Sequence, residues 1–425
     1  MTKKKGRLQL LLIGIFVFAA LLWVIPAQPV SASWITEAED EDTPATAGAT
    51  KRLVMPEGTT TPTASFTITF TKVSKNGVAD TGVAGFMPVI DDELLSFAST
   101  DAGSTDTTDH IKTVIKETGN VLGVTWPHAG IYVYTVAETS GTYTISNAYN
   151  EQMTYSTGTY TMTVYVENHS NGTDLFVAYV VTKIASLETG DTRAVNDKVD
   201  STPGGDGSTY LFSQMYFTNT YLKTTGSEDP KHANVPLLIS KAVDGGLADQ
   251  TKYFPFTVTV AQPAVGTGLT TYKARVLSGT TVVTSAAHFA GTITADATNG
   301  AYFEITPATA AAVNLKHGER IAIVGLPVGA SYTVTEAADT AYTPSASTVK
   351  NGASAVATPG SVNTALTIGP NLIAEGEDSV AFTNTLASAT PTGISVDNLP
   401  YVVLLGIVLA AFALFVVVKS RRRVY

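Results

Sequence analysis

The stretch "MYFTNTYLK", Met215–Lys223, carries a strand-like run with an asparagine at its centre, and the letters "FTNT" return at Phe382–Thr385. In a strand, alternate residues share a face. Phe217, Asn219 and Tyr221 therefore point one way, and Phe382, Asn384 and Leu386 do likewise. Asparagine is a poor strand former, and burying its amide without partners costs roughly a few kcal/mol. An asparagine set twice among apolar neighbours needs a reason.

The surroundings are strand-like throughout. "FTITF" (Phe66–Phe70), "YVYTV" (Tyr132–Val136), "YTMTVYV" (Tyr160–Val166) and "FTVTV" (Phe256–Val260) alternate Thr with aromatic or branched residues. Turn signals such as "KNG" (Lys75–Gly77) and "TNG" (Thr298–Gly300) separate the runs. Amphipathic helical periodicity is scarce. The pattern predicts an all-β chain of antiparallel sandwiches, and the length suits two tandem Ig-like domains.

The two halves superpose as sequences. Lys51 lies fifteen residues before Phe66, and Lys241 fifteen before Phe256; "YTVAE" (Tyr134–Glu138) answers "YTVTE" (Tyr332–Glu336); "FTNT" answers "FTNT". The order in each half is Lys, Glu, Asn, and all occupy apolar faces. Lys51 shares its face with Leu53 and Met55, and Lys241 with Leu237, Ile239 and Val243. One reading is a buried Lys–Glu ion pair capped by Asn, in which desolvation offsets much of the attraction. The other is covalent. Desolvation favours a neutral lysine amine, a nucleophile, and a protonated glutamic acid. That acid can donate to the asparagine carbonyl and shuttle protons to departing ammonia, while the fold holds the reactants together. The product is a Lys–Asn isopeptide bond, with Glu138 and Glu336 as the catalytic carboxyls.

The chain ends carry different signals. Residues 1–32 read as a secretory signal peptide: a basic start (Lys3, Lys4, Lys5, Arg7), an apolar run and the small-residue site "VSA" (Val30–Ala32). Leu399–Val418 is uncharged and long enough to span a bilayer, and the tail 419–425, with Lys419 and Arg421–Arg423, marks its cytoplasmic side. These ends hold eight of the 26 Lys and Arg and none of the 36 Asp and Glu, so residues 33–398 carry 18 basic against 36 acidic side chains, a net of −18. An acidic ectodomain argues against nucleic-acid binding. There is no cysteine, so disulfides, the usual extracellular staple, are excluded. The remaining divisions are an acidic linker at 33–49, the first sandwich at 50–222, a linker at 223–234, the second sandwich at 235–386 and a linker at 387–398.

With these residues in view, both halves resemble the isopeptide-linked domains of Gram-positive pilins. The first is similar to the streptococcal pilin isopeptide linker type in "TKRLVMPEGTTTPTASFTITF", "AGIYVYTVAE" and "FTNTY", and the second to its close relative in "LLISKAVDGGLADQTKYFPFTVTV", "GLPVGASYTVTE" and "FTNT". The resemblance spans about Thr50 to Thr385. It implies that Lys51 joins Asn219 with Glu138 assisting, and Lys241 joins Asn384 with Glu336 assisting. Lys72, in "FTKVSKNG", stands where a related collagen-adhesin-like domain would place its lysine and is the rival for the first bond. The C-terminus is similar to a cell-wall sorting signal, with "ATPTG" (Ala389–Gly393) in place of the common Leu-Pro-x-Thr-Gly. This implies a sortase cutting between Thr392 and Gly393 and joining Thr392 to an amine. Lys198, Lys183 and Lys223 are the candidate acceptors on a neighbouring subunit. The implied protein is a structural, non-enzymatic, cell-surface pilin-like subunit, whose partners are sortase, other pilin subunits or peptidoglycan, and the membrane. The alternative is a singly anchored adhesin that binds host surface ligands.

Other chemistry finds little purchase. The sequence has no Walker loop, dinucleotide fingerprint, "GxSxG" or "HExxH", and its six scattered histidines predict no metal site or cofactor. The sequons "NHS" (Asn168–Ser170) and "NGT" (Asn171–Thr173) read as hairpin-turn chemistry. "EAEDED" (Glu37–Asp42) reads as a solvated, disordered leader.

Overall fold

The computed structural model describes residues 35–146, 151–204, 211–232, 234–266, 269–289, 291–387 and 399–421. Those residues form strands in four sheets and a single C-terminal helix. The sequence up to and including the strand Tyr216–Leu222 packs as an eight-stranded and a five-stranded sheet, and the strands after it as an eight-stranded and a four-stranded sheet. Each pair of sheets encloses its own apolar core. One is built around Phe66, Tyr132, Tyr134 and Phe217, the other around Phe256, Tyr272, Tyr332 and Phe382.

Alternation explains which residues go inside. In Tyr216–Leu222, Phe217, Asn219 and Tyr221 are buried while Tyr216, Thr218 and Thr220 are only partly so. In Ser379–Leu386, Val380, Phe382 and Asn384 are buried. Branched and aromatic side chains fill the inner face of a pleated surface, and threonine suits the half-exposed one. Asn76 and Gly77, both with positive φ, close the turn that reverses Ala64–Lys75, as the "KNG" signal predicts. Asn171 accepts hydrogen bonds from the Thr173 and Asp174 amides, so the sequon region is a hairpin turn.

The antiparallel expectation needs one correction. In each half the first and last long strands are parallel neighbours. Thr50–Pro56, the first lysine strand, pairs with Tyr216–Leu222, setting Lys51 opposite Phe217 and Leu53 opposite Asn219. Leu237–Asp244, the second lysine strand, pairs with Ser379–Leu386, setting Lys241 opposite Phe382 and Val243 opposite Asn384. A parallel pair needs a long crossover, and here the crossover is the rest of the sandwich. Residues far apart in sequence thus become diagonal neighbours on one face.

The expected linkers are also corrected. Thr36 and Glu37 pair with the strand Leu175–Ser186. Ala45, Ala47 and Ala49 are buried. Glu41 accepts from the amide and hydroxyl of Ser170. The acidic leader is docked because its alternate alanines fill the edge of the core and its carboxylates cap a turn. In Lys223–Asn234, Thr224 and Thr225 are buried, and the backbone bonds back through Thr225 N to Leu326 O and Val328 N to Lys223 O. Its first residues, Lys223–Thr225, form a packed junction.

The C-terminal helix runs Leu399–Arg421, and Pro400–Ser420 is apolar enough to cross a membrane, with mean hydropathy 3.0. The segment read as a signal peptide, and Thr392 and Gly393 of the expected sorting motif, lie outside the described residues.

Candidate functional site

Each lysine strand delivers its amine to the sandwich interior, and a glutamate reaches it from the facing sheet. Glu138 lies at the end of Gly130–Thr139, in the eight-stranded sheet opposite the five-stranded sheet of Lys51 and Asn219. Lys51 Nζ donates to Glu138 Oε2 at 2.6 Å, and Asn219 Nδ2 donates to Glu138 Oε1 at 2.6 Å. The Lys51 and Glu138 side chains are 0 % and 1 % exposed. The Phe66 ring lies 4.7 Å from the amine.

The second half repeats the arrangement. Glu336 ends Ser331–Glu336 in the four-stranded sheet. Its Oε1 accepts from both Lys241 Nζ and Asn384 Nδ2, each at 2.7 Å, and both charged side chains are 0 % exposed. Phe254 sits 4.4 Å from the amine. In both halves one carboxyl therefore bridges the amine and the amide nitrogen.

Burial acts on the two lysines and on Glu336 as apolar surroundings should. Desolvation pulls Lys51 and Lys241 down to about 8, against the opposing pull of Glu138 and Glu336. Desolvation pushes Glu336 above the usual carboxylate range, against the charge of Lys241. Both directions favour the neutral amine and neutral acid that a nucleophilic attack requires.

One sequence expectation is corrected here. The glutamic acid does not face the asparagine carbonyl. In both halves it is the amide nitrogen that turns to the carboxyl. In the first half the reason is visible: Asn219 Oδ1 accepts from the backbone N–H of Ser156 at 2.8 Å. That donor claims the oxygen and fixes the amide's orientation. In the second half Asn384 Oδ1 and Glu336 Oε2 are buried without hydrogen-bond partners among the described residues.

The rival lysine is elsewhere. Lys72 pairs with Asp80 at 3.3 Å and its side chain is 23 % exposed. Lys51 and Asn219 share the Glu138 carboxyl, whereas Lys72 does not reach it. Lys183 and Lys198 stand opposite each other on paired strands, and Lys223 pairs with Glu375 at 2.7 Å. Among the described residues no cluster of His, Cys, Asp or Glu is arranged to hold a metal ion. Sequence reasoning missed Ser156 and Glu188, which are not part of the repeat.

Residues 236–385 match the family model DUF7601, described as a domain of unknown function. No curated protein sequence matches. Among solved structures, the chain is similar to the major pilin from Streptococcus pyogenes, at 18 % identity and TM-score 0.31, covering 80 % of this chain and 99 % of that one. It is similar to the T3.2 major pilin of the same species, at 18 % identity and TM-score 0.30, covering 84 % and 100 %. It also matches a pilus-presented adhesin at 11 % identity and TM-score 0.24, covering 80 % and 99 %.

Proposed function

We propose that each half of the chain closes one intramolecular isopeptide bond, Lys51 to Asn219 and Lys241 to Asn384, and that the protein is a structural, pilin-type subunit of a cell surface. The observation that supports this most is the twofold recurrence of a buried lysine and asparagine, diagonal on parallel first and last strands and bridged by one glutamate.

The chemistry follows from the contacts. The neutral lysine Nζ attacks the asparagine Cγ. The protonated carboxyl bridging Nζ and Nδ2 gives its proton to the departing nitrogen and recovers the one that the amine loses. One C–N bond forms, one breaks, and ammonia leaves. A buried ion pair alone would leave its desolvation poorly offset, whereas the amide product carries no charge. The bond spans 168 residues in the first half and 143 in the second, so it ties the ends of each sandwich and resists reduction. It does for a cysteine-free chain what disulfides do elsewhere.

In this reading the C-terminal helix holds the chain at the membrane until sortase joins Thr392 to peptidoglycan or to a lysine of the next subunit, and the protein turns over no substrate. Intact-mass measurement of the folded ectodomain tests the bonds: the mass falls short of the sequence mass by two ammonia molecules. Glu138→Ala and Glu336→Ala each restore one. An unmodified mass would end the proposal. Wall extracts that give a ladder of high-mass species support polymerisation, and a single band supports a singly anchored adhesin.

A further inference from the structure

The two sites are not equivalent, and the difference lies in a carboxylate outside the repeat. Glu188 follows the strand Leu175–Ser186 and is 8 % exposed. Its Oε1 accepts from Ser156 Oγ at 2.6 Å and from the Thr218 backbone N–H at 2.8 Å. Its Oε2 accepts from the Thr157 N–H at 3.3 Å. Glu188 thus clamps two pieces of backbone together. One is the Ser156–Gly158 segment. The other is the strand of Asn219, held at the residue just before the asparagine. Gly158 sits so close to this carboxyl that a Cβ there would lie 3.1 Å from it.

The clamp has a chemical consequence. Attack on Asn219 Cγ moves negative charge onto Oδ1. The Ser156 N–H already points at that oxygen from 2.8 Å, within the range over which a preorganised donor stabilises an oxyanion. Nothing corresponds in the second half, where Asn384 Oδ1 is buried and has no partner among the described residues. We propose that Glu188 is a positioning residue for the first isopeptide bond, holding the Ser156 N–H as an oxyanion donor on Asn219, and that the first bond therefore closes faster than the second. Glu188 does not touch the lysine amine and moves no proton in the step; the atoms and electrons balance as in the ammonia-releasing reaction, on which this inference rests.

The test is a time course. Unreacted full-length ectodomain, recovered in denaturant from insoluble expression, is refolded by dilution. It is quenched at intervals and digested, and the two cross-links are counted separately by mass. The wild type is expected to close the first bond before the second. Loss of one oxyanion donor slows acyl transfer by about 10²–10³-fold. Glu188→Gln, which keeps the shape but supplies only one accepting oxygen, should slow the first bond by at least about tenfold, on the scale of that loss. It should leave the second unchanged. Glu188→Asp, which retains the carboxylate, should recover part of the rate. Recovery of native fluorescence, followed in a Glu138→Ala background that cannot close the first bond, should be the same with and without Glu188→Gln. Closure of the first bond at the wild-type rate in Glu188→Gln would overturn the inference, as would equal slowing of both bonds. Absence of any ammonia loss in the wild type would instead overturn the isopeptide reading itself.

Discussion

Lys241 and Glu336 share a single useful proton. Attack needs a neutral amine, and departure needs a proton for the leaving nitrogen, so the reactive pair carries one proton in total. Burial lowers Lys241 to about 8 and raises Glu336. Above about 8 the pair loses that proton and the leaving group has none, so closure slows as pH rises. Below the raised value of Glu336 the pair carries two, the amine is an ammonium, and closure slows as pH falls. The second bond should therefore form fastest in the window between them, with a rate that drops about tenfold per pH unit on either side. Refolding into buffers across pH 4 to 10, with the cross-link counted by mass, measures this. A rate that climbs steadily to pH 10 would show that free amine alone limits the reaction.

At the scale of the strand, the proposed cross-link would reinforce a parallel pairing. Breaking it by Asn384→Ala removes the covalent tie together with the buried amide that meets Glu336, and leaves Lys241 and Glu336 as a buried pair. The chain-entropy model gives on the order of 5 kcal/mol for a loop of this length, as an upper figure. For a unit of this size that corresponds to a melting shift of roughly 10–20 °C. Calorimetry should show one transition falling by up to that amount while the other holds. If neither moves, no cross-link had formed there. How far these elements were legible in the sequence depends on what fixes them. Alternation of Thr with aromatic residues sets which side chains face the core, so Lys51, Asn219, Lys241 and Asn384 were placed on inner faces without coordinates. The parallel register was not legible, because strand order depends on contacts between residues far apart in the chain. Ser156 and Glu188 were not legible either, since a backbone N–H has no sequence signature and a lone carboxylate outside the repeat looks like any solvated acid. The leader deceived for a related reason: its charge suggested solvation, but its alternating alanines pack.

Across the whole molecule, the two halves meet around Glu375. Its carboxylate accepts from the Thr60 amide at 2.6 Å and the Thr60 hydroxyl at 2.8 Å, and pairs with Lys223 at 2.7 Å. Its backbone oxygen accepts from Thr225. Gly329 packs against Pro56 so closely that any side chain there would collide with it. A pull between the sandwiches would meet packed structure before it straightened a loose linker. Glu375→Ala removes three of these contacts without touching either site. Solution scattering should show a broader range of end-to-end distances, and proteases should cut faster after Lys223. Unchanged scattering and cleavage would mean that apolar packing alone holds the junction.

The covalent pairing is the claim on which the rest depends. Digestion of the folded wild-type ectodomain followed by fragmentation of the products by mass spectrometry reads it directly. The expected products are two branched peptides, one joining Lys51 to Asn219 and one joining Lys241 to Asn384, each lighter by one ammonia than its two linear parts. Linear peptides carrying intact Asn219 and Asn384, or a branch from Lys72 to Asn219, would contradict it.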